Sequence, residues 1–249
     1  MGKKTGTFYA VSVGPGDPEL LTMQAVRTLE RCAVIAAPQT ASGHMLALDI
    51  ARAAVDLRGK KILPLAFSMS TDAGTREACW RAAADAVEAA LDAGDDVALV
   101  NLGDVSLYAT AYYILDLIRA DGYVAVMLPG VTSICAVAAR LGRSLTRMEE
   151  PVHILPGSDD LADALRLPGT KVLMKSGRAI HEAVDAIVQA GLADYVAMDV
   201  KNSPERYAQT IGVCELDLTP VFKSVSFLLR GTVAYEFRTT AVAELHDDA

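Results

Sequence analysis

Short, nearly continuous apolar runs alternate along the chain with longer stretches whose apolar residues recur every three or four positions. Phe8–Val13, Ala33–Ala36, Ile62–Leu65, Val97–Leu102 and Val124–Leu128 have strand character. Between them, Glu19–Arg31, His44–Val55 and Arg76–Ala93 have helical character. In the last stretch Trp80, Ala84, Val87 and Leu91 share one face, and Gly94 follows as a stop. Alternation of this kind predicts α/β layering around a mostly parallel sheet.

A second series begins after Pro129-Gly130. Thr132 is placed to cap a helix over Ser133–Leu141, which Gly142 ends. Val152–Leu155, Val172–Met174 and Tyr195–Val200 read as strands, and Ala179–Ala190 as a helix closed by Gly191. Near the end, Ser224–Leu229 and Val233–Phe237 flank Arg230-Gly231-Thr232, which predicts an antiparallel pair. The pattern therefore predicts an α/β protein of two α/β domains, residues 1–126 and 127–249, the second with antiparallel terminal strands.

Composition narrows the function classes. The 249 residues are 52% hydrophobic and 22% charged, as in a globular protein with a real core. No apolar run approaches a bilayer-spanning length. A formal net charge of −8 is the wrong sign for gripping nucleic acid through its phosphates. Cys32, Cys79, Cys135 and Cys214 form no CxxC pair, so they read as small buried apolar side chains rather than a disulfide or zinc framework. His44, His153, His181 and His246 show no ligand spacing, and no metal is expected. Lys3 and Lys4 precede only a short apolar run broken by Gly14-Pro15-Gly16-Asp17, a strand and loop rather than a secretory signal, so a cytoplasmic location is the expectation.

Three loops that follow strands carry the candidate chemistry. Val13 to Thr22 reads V-G-P-G-D-P-E-L-L-T: its glycines let a ligand approach the backbone, and Asp17-Pro18 is a helix-start signal. Glu19 stands where a dinucleotide-binding G-x-G-x-x-G needs its third glycine, and there is no GK[ST] for a P-loop. The second loop, Asn101 to Thr110, holds Asp104, which could cap a helix, accept a hydrogen bond from a ligand, or do both. The third, Leu128 to Ser133, offers hydroxyls and N–H groups that could bind a carboxylate or simply cap the helix.

In this order, Gly-Pro-Gly-Asp-Pro-Glu-Leu-Leu-Thr, Gly-Asp-x-x-Leu-Tyr and Pro-Gly-Val-Thr-Ser resemble the tetrapyrrole methylase family of S-adenosylmethionine (SAM) dependent methyltransferases. The similarity runs on through Leu173-Met174-Lys175 and Asp199–Arg206. It implies two α/β domains with SAM in the cleft between them, a cytoplasmic homodimer, and methyl transfer without a metal. Ala37-Pro38, Ala47 to Ala51, and Leu65 to Ser70 followed by Trp80 most resemble the branch that methylates carbon 20 of precorrin-2 or its cobalt-containing counterpart. Two positions depart from the family pattern: Ser12 replaces the first glycine of its usual G-x-G-P-G, and Val105 replaces the proline of its usual G-D-P.

The resemblance implies that SAM touches Pro15, Leu102, Gly103, Asp104, Leu107, Thr132, Ser133 and Met174. In such a reaction an electron-rich ring carbon attacks the sulfonium methyl in line, so positioning outweighs acid–base chemistry. Tyr108 is the candidate for orienting substrate or assisting proton loss, with packing beside the loop as the alternative. A substrate rich in carboxylates needs local cations in this acidic chain; the candidates are Arg143, Arg147, Lys175, Arg178, Lys201 and Arg206. Two other readings stay open: methylation of another ring carbon, on a different precorrin or uroporphyrinogen III, and a non-catalytic SAM- or tetrapyrrole-binding protein.

Overall fold

The computed structural model describes residues 5–40, 42–67, 72–156, 161–175, 183–184, 186–187, 190–191, 195–199, 218–230 and 234–238. The chain forms two compact units, Met1–Ser144 and Leu145–Ala249.

The first unit is built on five parallel strands, β1 (Phe8–Ser12), β2 (Val34–Gln39), β3 (Lys61–Ala66), β4 (Val97–Asn101) and β5 (Ala125–Leu128), in the order β3-β2-β4-β1-β5. Five helices accompany them: α1 (Met23–Arg31), α2 (Leu46–Ala54), α3 (Ala73–Asp92), α4 (Thr110–Ala120) and α5 (Ser133–Arg140). Side chains alternate across each strand, so the sheet feeds two separate cores. Phe8, Ala10, Val34, Ala36, Val97 and Leu99 pack with α3 and α4. Val11, Val13, Ile35, Ala37, Ala98 and Val100 pack with α1 and α2. Connections that run toward β3 thus carry their helices on one face, and those that run back toward β5 carry theirs on the other. Crossovers of a single hand require this.

Local signals explain most boundaries. Asp17 Oδ1 accepts a hydrogen bond from the Glu19 N–H at 2.9 Å, but the segment it starts is only a 3-10 turn at Pro18–Leu20. The helix proper begins afresh where Thr22 Oγ1 accepts from the Ala25 N–H at 3.1 Å, so the stretch expected as one helix from Glu19 is two pieces. In α3, Ala84, Val87 and Leu91 are buried on the expected face, and the Trp80 ring stacks on Tyr113 of α4 with centroids 4.1 Å apart. Thr132 caps α5, and Gly142, at φ +61°, follows its last turn.

The compact units divide after Ser144, whereas the boundary expected from the sequence lies at residues 126 and 127. Strand β5 pairs with β1 along Phe8–Val11, which anchors the Pro129-Gly130 turn and α5 to the first sheet. Of the cysteines, Cys32 is buried and its thiol is pushed up to about 11 by desolvation and by Asp96. Cys79 is half-buried and Cys135 is exposed, which corrects the expectation of uniform burial; Cys214 lies outside the described residues.

In the second unit β6 (Val152–Pro156) and β7 (Thr170–Met174) form a parallel pair, with α6 (Ala162–Arg166) between them in sequence. A second parallel pair joins β8 (Tyr195–Asp199) to β9 (Ala234–Arg238). Thr219–Arg230 forms a helix, α7, so the expected antiparallel strand at Ser224–Leu229 does not exist. The span is twelve residues, long for a strand, and Pro220 sits in its first turn, where a helix tolerates the missing N–H. Residues 183, 184, 186 and 187, inside the expected Ala179–Ala190 helix, are helical.

Candidate functional site

The C-terminal ends of β1, β4 and β5 lie side by side in the sheet, and the three loops of interest start there. This is the edge of an open α/β sheet at which ligands bind, where connections from neighbouring strands leave toward opposite faces. After β1 the connection passes to α1 on one face; after β4 it passes to α4 on the other.

Backbone pairing extends beyond the strands. The Val13 N–H donates to the Asn101 carbonyl at 2.9 Å, and the Gly103 N–H donates to the Gly14 carbonyl at 2.7 Å. Gly14 and Gly103 form an antiparallel bridge, with φ of +75° and +76°. A side chain at either would be strained, and only glycine lets the loops turn this close together. No atom lies within 4 Å of where a Gly103 Cβ would stand, so the backbone here presents an open face.

Asp104 joins the second loop to the third. Its Oδ2 accepts the Gly130 N–H at 2.6 Å, and its Oδ1 accepts both the Ser106 N–H at 2.8 Å and the Ser106 hydroxyl. Burial pushes this carboxyl up, but the hydrogen bonds from Ser106 and Gly130 outweigh it and hold its pKa below the usual aspartate value. Of the roles open to Asp104, helix capping is not the one it plays: α4 begins at Thr110 without a side-chain cap. The carboxylate instead latches two strand-tip loops together.

Ser12 is the second joint. Its hydroxyl donates to the Leu128 carbonyl at 2.7 Å and accepts the Val105 N–H at 2.9 Å. One buried oxygen thereby touches the loops after β4 and β5 from the end of β1. Gly130 lies against it; a Cβ added to Gly130 would collide with Ser12 Cβ and lie 3.2 Å from the Gly103 carbonyl oxygen.

The remaining candidates in the first unit line this rim. Pro15, Gly103, Leu107 and Thr132 are half-buried, while Leu102, Tyr108 and Ser133 are exposed. Tyr108 has a left-handed backbone, φ +50°, unusual for a bulky residue and of the kind that concentrates at functional loops. Thr132 Oγ1 is taken up by capping, accepting the Cys135 N–H at 3.3 Å. Arg143 is exposed just beyond α5, its N–H closing the helix end on Ala138. In the second unit, Met174 ends β7 half-buried, Lys175 follows it, exposed and left-handed at φ +58°, and Arg147 is exposed. Arg178, Lys201 and Arg206 lie outside the described residues.

The family described as Tetrapyrrole (Corrin/Porphyrin) Methylases matches residues 7–202. The chain belongs to the tetrapyrrole methylase family. It is 33% identical to a cobalt-precorrin-2 C(20)-methyltransferase of Salmonella typhimurium over 199 residues, covering 78% of this chain and 82% of that one. It is 29% identical to a precorrin-2 C(20)-methyltransferase of a Sinorhizobium species, covering 84% and 89%. Among solved structures, a uroporphyrin-III C-methyl transferase from Thermus thermophilus, complexed with S-adenyl homocysteine, superimposes with a TM-score of 0.55. That structure is 22% identical, with 75% of this chain and 77% of that one covered, a likeness of fold.

The Gly130 N–H, the Ser106 groups and the Ser12 hydroxyl were not among the site residues expected from sequence. A serine at the tip of an otherwise apolar strand was the available signal, since a hydroxyl with no exposure must find partners.

Proposed function

We propose that this protein transfers a methyl group from SAM to carbon 20 of precorrin-2, or of its cobalt-containing counterpart, in cobalamin biosynthesis. One observation carries the reading: three strand tips are locked into a single backbone-rich rim in a chain whose relatives bear the C(20)-methyltransferase name.

The rim fits the methyl donor. Backbone groups around Gly103 are accessible, the start of α5 offers N–H groups, and Leu102 and Leu107 supply apolar surface for an aromatic base. When bound, SAM supplies an electrophilic methyl on a sulfonium centre. The chain's share is geometric: Pro15, Leu102, Gly103, Leu107 and Ser133 hold the donor, with Asp104 fixing the loop. Such positioning can replace much of the entropic cost of a bimolecular encounter. Met174 is assigned to the donor and Lys175 to substrate on the family resemblance.

Tyr108 sits beside Leu107 with its side chain exposed and is assigned to orienting the substrate ring or relaying its proton. Tyr108→Phe is expected to lower kcat by roughly tenfold or more while leaving donor affinity intact. Full turnover at saturating substrate would remove the hydroxyl from the mechanism.

Arg143, Arg147 and Lys175 are the described cations assigned to the substrate's carboxylates. Neutralising those that touch it is expected to raise KM for the tetrapyrrole, with an effect that shrinks at high salt and spares SAM binding. Equal losses for both ligands would contradict the assignment.

The deciding experiment incubates purified protein with methyl-labelled SAM and precorrin-2, metal-free and cobalt-loaded in parallel, and locates the new methyl by NMR. A single product labelled at carbon 20 supports the reading. Label at another ring carbon, or on uroporphyrinogen III alone, moves the acceptor. Tight SAM binding without turnover on any of these makes the chain a binding protein.

A further inference from the structure

Among the described residues, the polar side chains buried at the strand tips are those of Ser12, Asp104 and Asn101, the last only 7% exposed. The first two are engaged. Ser12 Oγ donates to the Leu128 carbonyl and accepts the Val105 N–H, and both oxygens of Asp104 hold donors from Gly130 and Ser106. Asn101 differs. Its Nδ2 donates to the Leu102 carbonyl at 2.9 Å, and no other hydrogen bond reaches its side chain from the described residues. Only the nitrogen can donate to a carbonyl, so this one bond fixes the orientation of the amide. It leaves Oδ1 and the second Nδ2–H without a partner among those residues.

The surroundings make that costly. Asn101 ends β4 on the face whose Val97 and Leu99 pack with α3 and α4, so its amide continues an apolar row. A buried acceptor without a donor destabilises the ligand-free fold, and a ligand that supplies the donor recovers the loss.

We propose that Asn101 binds the nucleoside half of the methyl donor: Oδ1 accepts from, and the remaining Nδ2–H donates to, a ribose hydroxyl or the edge of the adenine. This inference rests on the SAM-binding reading above. Three observations select that half. An amide both donates and accepts, as ribose hydroxyls and the adenine edge do, whereas the donor's ammonium only donates and its carboxylate only accepts. Asn101 adjoins Leu102, part of the apolar surface that suits the base. The N–H groups at the start of α5, which suit the carboxylate, follow β5, and β1 stands between β5 and β4. Two strand spacings, about 9–10 Å, therefore separate the end of β4 from that anion site.

Asn101→Leu keeps much of the side chain's shape and removes the acceptor. It is compared with the unmodified chain by melting without ligand, by calorimetry with SAM, and by competition with 5′-methylthioadenosine, which carries the nucleoside half without the amino acid. The ligand-free melting temperature is expected to stay level or rise, because an apolar side chain replaces a half-paired amide. The Kd for SAM should rise roughly tenfold or more. The inhibition constant of the nucleoside should rise by the same factor, and KM for the tetrapyrrole at saturating SAM should stay nearly constant.

Unchanged SAM affinity overturns the proposal, as does an affinity loss accompanied by a lower melting temperature, which marks a disturbed loop. So does a nucleoside that fails to compete with SAM, or that competes equally well on both chains. Should Asn101→Leu not fold, Asn101→Ala, which cannot overfill the site, decides by affinities alone. Equal losses for SAM and the nucleoside with tetrapyrrole KM held support the contact, and unequal losses overturn it. Each adverse result, with SAM bound by the unmodified chain, defeats this inference alone. An unmodified chain that does not bind SAM defeats the functional reading as well.

Discussion

Asp104→Ala is expected to weaken methyl-donor binding by about 100-fold or more and to lower the melting temperature. The buried carboxylate receives the N–H of half-buried Gly130 and the N–H and hydroxyl of exposed Ser106. Hydrogen bonds to a charged group each contribute about 1.5–3 kcal/mol, and a donor left unpaired in the interior adds its own desolvation cost. Calorimetry with SAM and a thermal melt check the expectation; unchanged affinity would mean that the latch is decorative. The same group sets a pH dependence. Its folded pKa lies below the ordinary value of 3.8, so its contribution to stability is complete above that value and is lost as pH falls toward and through the depressed one. The acid limb of the stability profile should lose this component in Asp104→Asn.

Gly130→Ala is expected to be nearly as damaging, for a different reason. The added Cβ collides with Ser12 Cβ, and relief by backbone movement carries away the N–H that Asp104 holds. Overpacking of this kind costs about 1–3 kcal/mol, or roughly 3–10 °C in melting temperature for a chain of this length. SAM affinity should fall with it. A variant with native melting and native affinity would show that the two loops are not held against each other.

The first sheet was legible because each of its strands is nearly all apolar, most completely in β1 and β4, which are covered on both faces. The observed ends of β1, β3 and β4 fall within one residue of the expected ones. Helix α4 was not anticipated: the motif running up to Thr110 read as loop, and Thr110 follows Ala109, which has no capping side chain. The run at Ser224–Leu229 misled because serine and apolar residues alternate over its first half, mimicking a strand. Length and Pro220 were the better guides.

At the site, the three loops could be found from sequence but not their wiring. Asp104 offered several roles, and nothing local says that its partner is a backbone N–H 26 residues away. Ser12 and Val105 stood out in the sequence only as two departures from the motifs that it otherwise resembles. That the Val105 N–H donates to the Ser12 hydroxyl depends on a contact between the ends of two neighbouring strands, which only the register of β1 on β4 reveals.

The position of β1 also bears on how the chain is made. Its hydrogen-bonding partners are β4, from Val97, and β5, from Ala125, while β2 and β3 pair elsewhere. A ribosome adding roughly 5–20 residues per second therefore delivers this strand several seconds ahead of anything it can pair with. For that interval Phe8, Ala10 and Val11 sit in a nascent segment with both edges open. During it Val11 has α1 of its own face to pack against, whereas Phe8 and Ala10 wait for α3 and α4 as well as for their neighbouring strands.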